Sequence, residues 1–295
     1  MVDSITDVPG VLVGHATDLT AATGVTVLTF GEPNVAIADV RGGAPGTREL
    51  GVFGDAIKPV TLNALMFAGG SAFGLGAAQG IVDAIEKEGR GAPTPTGPVP
   101  IVAGAIIYDL MVGRSDVRPG PADGLRAYES RSSEPVAMGR VGAGTGATVG
   151  KLNGIESATR AGVGSASATV EGASVGALVV LNAVGDVYSL TGERLTGSED
   201  SDGQWFSGPD GLNTTLIAVA TDADVSDRNE LRRFGVRAHD GLASTVRPSH
   251  TRYDGDTAFV VSTAKVAVDI DLLAEAVFDV VTRAIARAVQ GEASP

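Results

Sequence analysis

The stretch PDGLNTTLIAVATDAD (209–224) places two threonines, Thr214 and Thr215, between a Gly-Leu-Asn turn and a run of alternating apolar residues. That alternation predicts a strand beginning at the threonines. Threonine opens strands for ordinary reasons, because it is β-branched and the preceding Asn and Gly suit a turn. A second reading is that this strand is built to begin a chain.

Working outward, residues 191–211 (TGERLTGSEDSDGQWFSGPDG) form a long polar loop with the composition of a segment that resists folding. After the strand come an amphipathic helix in SDRNELRRFGVRAHDGLAST, a strand in DTAFVVSTAKV and a helix in DIDLLAEAVFDVVTRAIARAVQ. The first part of the chain reads as strands in GVLVGHAT, GVTVLTF and NVAIADVRGG. A helix is expected from about Ser71 to Lys87, with Ser71 as its N-cap and Gly89 near its end. A strand follows in PIVAGAIIYDL, then a helix and loop around GLRAYES, then two strands in ATVEGASVGALVVLNAVGDVYSL joined through EGAS. Strands come in adjacent groups and helices in pairs. This pattern predicts a layered α+β sandwich, not a doubly wound parallel sheet, with residues 1–295 as one domain.

The chain has 295 residues, 41 of them glycine, and 43% are hydrophobic, which suggests tight turns and close backbone approaches in a folded core. A net charge of −13 argues against nucleic acid or an anionic membrane as partner. The absence of cysteine excludes a thiol nucleophile, a disulfide framework and a Cys-ligated metal. The opening residues MVDSITDVPGVLVGHAT carry Asp3 and Asp7 and no basic segment, so a cytoplasmic protein is expected.

Several motifs have both a chemical and a plain reading. GAGTGATVGK (142–151) approaches a phosphate-binding loop, but Leu152 stands where a hydroxyl should follow Lys151. The loop is then structural, or a backbone cradle that presents Lys151. His15, His239 and His250 lack metal-binding spacing, and no metal site is expected. Asp254 and Asp256 flank Gly255; in extended chain they point the same way, about 7 Å apart. Such a pair can orient an amine or hydroxyl and accept its proton, or it can be a solvated turn. Asn182 lies inside the apolar run VGALVVLNAVGDV and needs partners. It is either a tie near Gly185 or a donor aimed at an oxyanion. Tyr108, at a strand end, is a core residue or a hydroxyl that reaches a site.

Seven segments occur together and in order: RGGAPGTRE (41–49), AGGSAFGL (68–75), AIIYDL (105–110), VGAGTGATVGK (141–151), VVLNAVGDV (179–187), LNTTLIAVATDA (212–223) and SHTRYDGDTAFVVST (249–263). In these the sequence resembles the self-processing N-terminal-nucleophile hydrolases of the β-aminopeptidase and L-aminopeptidase/D-esterase family, the P1-type (S58-like) peptidases. The resemblance spans nearly the whole chain. It implies a four-layer αββα sandwich and self-cleavage between Asn213 and Thr214, giving an α chain of residues 1–213 and a β chain of residues 214–295. It implies Thr214 as nucleophile and Lys151 as the positive charge beside it. Asn182 matches the oxyanion donor, with Tyr108 as a second donor, and Asp254 and Asp256 match the pair holding the Thr amine and hydroxyl. The aminopeptidase members tend to carry Ser-x-Glu and a Ser nucleophile, whereas Asp-Gly-Asp and Asn-Thr here are as in the nylon-oligomer hydrolase branch. The implied substrate is a small peptide or an amide of ω-amino acids. No cofactor is implied, and a homo-oligomer of processed units, commonly a tetramer, is. The alternative readings are an acyltransferase of the ornithine acetyltransferase kind and a non-catalytic binding protein.

Overall fold

The computed structural model describes residues 3–54, 57–196 and 213–290. Strands β1 (Leu12–Asp18), β2 (Thr23–Thr29), β3 (Val35–Val40), β4 (Thr47–Arg48) and β5 (Ala64–Ala68) precede helix α1 (Ala78–Lys87). Then come β6 (Val102–Ile106), α2 (Pro121–Glu129) and two short strands, β7 (Thr148–Val149) and β8 (Thr159–Arg160). The hairpin of β9 (Val163–Val170) and β10 (Ala173–Asn182) leads to β11 (Asp186–Val187). The last part holds β12 (Thr214–Ala223), α3 (Arg228–Thr245), β13 (Val246–Arg247), β14 (Thr257–Val266) and α4 (Ile270–Gln290).

Two five-stranded sheets carry the fold, in the orders β1-β2-β5-β6-β4 and β3-β14-β12-β10-β9. Three apolar cores separate four layers. Val25, Val27, Met66 and Val102 of the first sheet pack on Ile81 and Ile85 of α1 and Tyr128 of α2. Leu28, Leu65 and Phe67 of that sheet meet Leu178, Leu216 and Phe259 of the second. The other face of the second sheet, with Val179, Ile217 and Val219, packs on Leu231 and Phe234 of α3 and Val277 and Val281 of α4. The order is therefore helices, sheet, sheet, helices, the αββα sandwich that was expected. All ten residues of β12 are buried because both faces of its sheet are covered. Among the described residues no helix is long and apolar enough to cross a membrane.

Two local expectations need correction. The helix expected from Ser71 is a 3-10 turn over Ser71–Ala77 that becomes α-helical at Ala78. Ser71 is no N-cap: it has φ of 55°, in the left-handed region, and its N–H donates to the Ile107 carbonyl at 3.0 Å. A buried carboxylate explains the detour. Asp109 accepts from Gly70 N at 2.7 Å and from Thr23 Oγ1 at 2.7 Å, pulling the glycine turn under β6. Burial pushes the Asp109 carboxyl up from its ordinary value. The polar loop expected over 191–211 is ordered at its start. Leu195 N donates to Val187 O at 2.8 Å, and Arg194 pairs with Asp186, so a tight turn runs to Thr196. Residues 197–212 lie outside the described residues.

Phe259 is fully buried between the sheets, 5.9 Å from the ring of Phe53 and 6.0 Å from that of Phe67. Phe259→Ala is expected to cost about 3–5 kcal/mol, read as a lowered urea midpoint at unchanged slope.

Candidate active site

Register places the first residue of β12. The strand pairs antiparallel with β10, setting Thr214 opposite Asn182, and parallel with β14, setting Leu216 opposite Thr257. Leu216, Ala218 and Ala220 face the space between the sheets, so strand alternation puts Thr214 on that face as well. Thr214 is 4% exposed, and its Oγ1 donates to the carbonyl oxygen of Asn213. The same oxygen accepts Gly255 N–H at 2.8 Å, while Asn213 N–H reaches the Tyr253 carbonyl at 3.3 Å. The peptide between Asn213 and Thr214 is thus clamped against the loop that precedes β14. A Cβ at Gly255 would stand 2.8 Å from Thr214 Oγ1 and 2.9 Å from the Ala44 carbonyl oxygen. A side chain there would collide with backbone and nucleophile together.

That loop carries both expected carboxylates, each buried, but they serve different partners. Asp256 Oδ1 accepts Thr215 N–H at 2.7 Å, and its Oδ2 accepts from His250. Asp254 Oδ2 accepts Thr251 N–H at 3.0 Å and Thr251 Oγ1 at 2.5 Å. The segment itself runs alongside β12: Asp254 bridges Asn213 in parallel, at the same offset as Thr257 and Leu216. Its carbonyls are capped by the RGGA segment: Arg41 N donates to Asp256 O at 3.0 Å and Ala44 N to Asp254 O at 2.8 Å. Gly42 lies so close that a Cβ there would meet the Asp254 carbonyl oxygen at 2.3 Å. Burial and the neighbouring Asp256 charge push the Asp254 carboxyl up to about 6.

Across β10, the glycine-rich loop does present Lys151. Gly150 N and Lys151 N donate to the carbonyls of Gly185 and Val184, at 2.9 and 2.8 Å. The Lys151 side chain then runs inward, and its Nζ donates to Asn182 O and Asn182 Oδ1, both at 3.1 Å. Burial pushes this amine down to about 7, with the Asp254 charge drawing it partly back up. Asn182 is a hub: its Oδ1 also accepts Thr148 N–H at 3.0 Å, and its Nδ2 donates to the Tyr108 carbonyl at 3.2 Å. For Tyr108 the contact at the site is this main-chain carbonyl. Thr214, Asn182 and Lys151 converge at one end of the second sheet, with Asp254 and Asp256 on the loop beside them.

The sequence reading missed other contributors. His239 and His250, which lack metal-binding spacing in sequence, have ring centroids 4.8 Å apart at 73°. His15 is separate, its Nδ1 meeting Thr26 Oγ1 at 2.9 Å, and burial alone pushes it down to about 4. Gly255 contributes through a main-chain N–H, which no side-chain pattern announces. Among the described residues, no three histidine or carboxylate side chains cluster as metal ligands would.

Comparison with known proteins identifies the family and the fold. The model of Peptidase family S58 matches residues 3–293. An uncharacterized aminopeptidase of Mycobacterium tuberculosis is 41% identical over 294 residues, covering 90% of this chain and 83% of that protein. A 6-aminohexanoate-oligomer endohydrolase of Paenarthrobacter ureafaciens is 30% identical over 276 residues, covering 88% of this chain and 75% of that protein. Among solved structures, the L-aminopeptidase D-Ala-esterase/amidase of Ochrobactrum anthropi, described as a variant of the Ntn hydrolase fold, superposes with a TM-score of 0.77 at 20% identity. That match covers 97% of this chain and 85% of that one. A β-aminopeptidase of Burkholderia gives 0.75 at 23% identity, covering 98% and 86%. The chain belongs to peptidase family S58, a hydrolase of amide or peptide bonds on an Ntn-hydrolase-type αββα sandwich.

Proposed function

We propose that this hydrolase activates itself by cutting its own backbone between Asn213 and Thr214, and that the freed Thr214 is then the nucleophile for substrate. The observation that carries the reading is the clamped peptide. Thr214 Oγ1 lies against the Asn213 carbonyl, and Gly255 N–H donates to that carbonyl oxygen at 2.8 Å. In the first step the Thr214 hydroxyl oxygen bonds to the Asn213 carbonyl carbon. The carbon–nitrogen bond breaks, and Thr214 nitrogen takes a proton to become a free amine. Gly255 N–H stabilises the oxygen on which negative charge develops. Water then hydrolyses the resulting ester, leaving chains of 213 and 82 residues.

The uncut chain has no amine at Thr214, so another base must take the hydroxyl proton. Lys151, held at about 7 by burial, is our choice. A neutral amine keeps N–H donors for Asn182 and gains a lone pair. After the cut, the Thr214 α-amine, with an ordinary pKa near 8, takes over as base within the nucleophile itself. The buried Asn213 side chain supports the reading further. Neither its Nδ2 nor its Oδ1 has a hydrogen-bond partner among the described residues, so no side-chain bond to them ties Asn213 in place. For substrate we infer short peptides with a free amino end or oligomeric amides of ω-amino acids. The Asp254-Gly255-Asp256 loop and the Asn213–Thr214 pair favour the latter.

Denaturing mass spectrometry of freshly made protein is the direct test. It should give two chains, the smaller beginning TTLIAVATDAD. Thr214→Ala should stay whole and inactive, and Thr214→Ser should still cut; a cut Thr214→Ala protein sinks the nucleophile assignment. Turnover of acetyl-ornithine with transfer of the acetyl group would favour an acyltransferase instead.

The cutting rate should rise with pH to a plateau above about 7, climbing roughly tenfold per unit below it, and Lys151→Ala should abolish that limb. Stability supplies an independent check. A lysine pushed down from 10.5 to about 7 binds its proton more tightly in the unfolded chain, so its contribution is worst below 7 and improves as pH rises towards 10.5. Lys151→Met should therefore raise the melting temperature at pH 6, with the gain shrinking by pH 10.

A further inference from the structure

Asp256 is 1% exposed and links two distant pieces of backbone. Its Oδ1 accepts the N–H of Thr215, the residue after the nucleophile, at 2.7 Å. Its Oδ2 accepts two donors from His250, the main-chain N–H and the ring Nδ1, each at 2.9 Å. A carboxylate oxygen facing two nitrogens acts as the acceptor, so Nδ1 of His250 carries a hydrogen. His250 itself has φ of 56°, in the left-handed region that His, Asn and Asp enter more readily than other side chains.

The ring of His250 is held from outside. His239, on α3, packs against it at 73°, and His239 Nε2 donates to the Asp39 carbonyl of β3 at 3.0 Å. A continuous set of contacts thus runs from β3 through His239, His250 and Asp256 to the first peptides of β12. None of the chemical steps above consumes either histidine.

We propose that His250 is a positioning residue: its Nδ1–H fixes the Asp256 carboxylate, which fixes Thr215 N–H and so aims the Thr214 hydroxyl at the Asn213 carbonyl carbon. The inference rests on the self-cleavage reading. With the donor gone, the carboxylate keeps only the His250 main-chain N–H on that oxygen and can turn about its own bond. Thr214 then loses the anchor that sets its backbone, and a reacting atom misplaced by about 1 Å can cost on the order of a hundredfold in rate.

Isosteric variants separate this role from a merely structural one. Asn tolerates the same φ and puts an N–H donor where Nδ1 sits, whereas Asp tolerates that φ but offers an acceptor facing Asp256. The experiment follows the appearance of the chain beginning at Thr214 by denaturing mass spectrometry after a pulse of synthesis. It compares the natural protein, Thr214→Ala, His250→Asn, His250→Asp and His250→Gly, with a melting curve for each. His250→Asn should cut at close to the natural rate, and His250→Asp at least about tenfold slower while still folded, the loss of one charge-assisted hydrogen bond. If His250→Asp does not fold, His250→Gly takes its place and should show the same slowing, because glycine keeps the backbone conformation and lacks the donor. Natural rates in both His250→Asp and His250→Gly overturn the proposal. So does a His250→Asn protein as slow as its donor-less counterpart, because donation is then not what matters. A natural protein that stays whole, or a Thr214→Ala protein that is cut, sinks the self-cleavage reading instead, and the proposal with it.

Discussion

The hydrogen bond from Gly255 N–H to the Asn213 carbonyl, 2.8 Å long, joins the start of the central strand to the loop that precedes its parallel neighbour. Much of the site follows from making that contact possible. The loop must bring main chain, not a side chain, up to Thr214, so position 255 is glycine, with Asp254 and Asp256 on either side of it. Those two residues then need their own carbonyls satisfied in a buried place, and the N–H groups of Arg41 and Ala44 do this. Gly42 allows the two segments to touch. Sequence motifs some two hundred residues apart are thus two halves of one backbone junction.

Burial sets the electrostatics. Lys151 and Asp254 are both removed from water, and each is pushed toward its neutral form, the amine down to about 7 and the carboxyl up to about 6. A site that kept these groups solvated would hold them charged at neutral pH and idle as bases or acids. The cost is borne by a large sandwich core, where both faces of the second sheet are covered and Asn182 supplies two acceptors to the lysine. Asn182 in turn is fixed by Thr148, and its amide nitrogen is committed to the Tyr108 carbonyl in the uncut chain.

Much of the fold was legible from periodicity. Alternation in residues 214–223 and 173–182 marked strands, helical spacing marked α3 and α4, and their grouping marked a layered sandwich. The failures came where a buried polar group from elsewhere in the chain overrode local preference. Ser71 looks like a helix cap, but the distant Asp109 carboxylate draws the preceding glycine turn into a conformation that makes capping impossible. Asp254 and Asp256 look like one pair acting together, but buried donors divide them, Thr251 holding Asp254 and the backbone of Thr215 and His250 holding Asp256.

By itself the sequence determined the chemistry on offer. It provided a hydroxyl at a strand start, one lysine after a glycine loop, an amide inside an apolar strand and two acids around a glycine, with no thiol to compete. It also determined where the main strands and helices run, because alternation and helical spacing are local properties of the chain. Only the tertiary structure decided which of these groups meet. The pairing of β12 with β10 sets Thr214 opposite Asn182 and on the face between the sheets, and a one-residue slip would turn it to the other face. It also brought His239 and His250 within 4.8 Å of each other, eleven residues apart in sequence but on a helix and a loop. Contacts of this kind depend on register and crossover, which are fixed by packing of whole layers and leave no local mark on the residues they join.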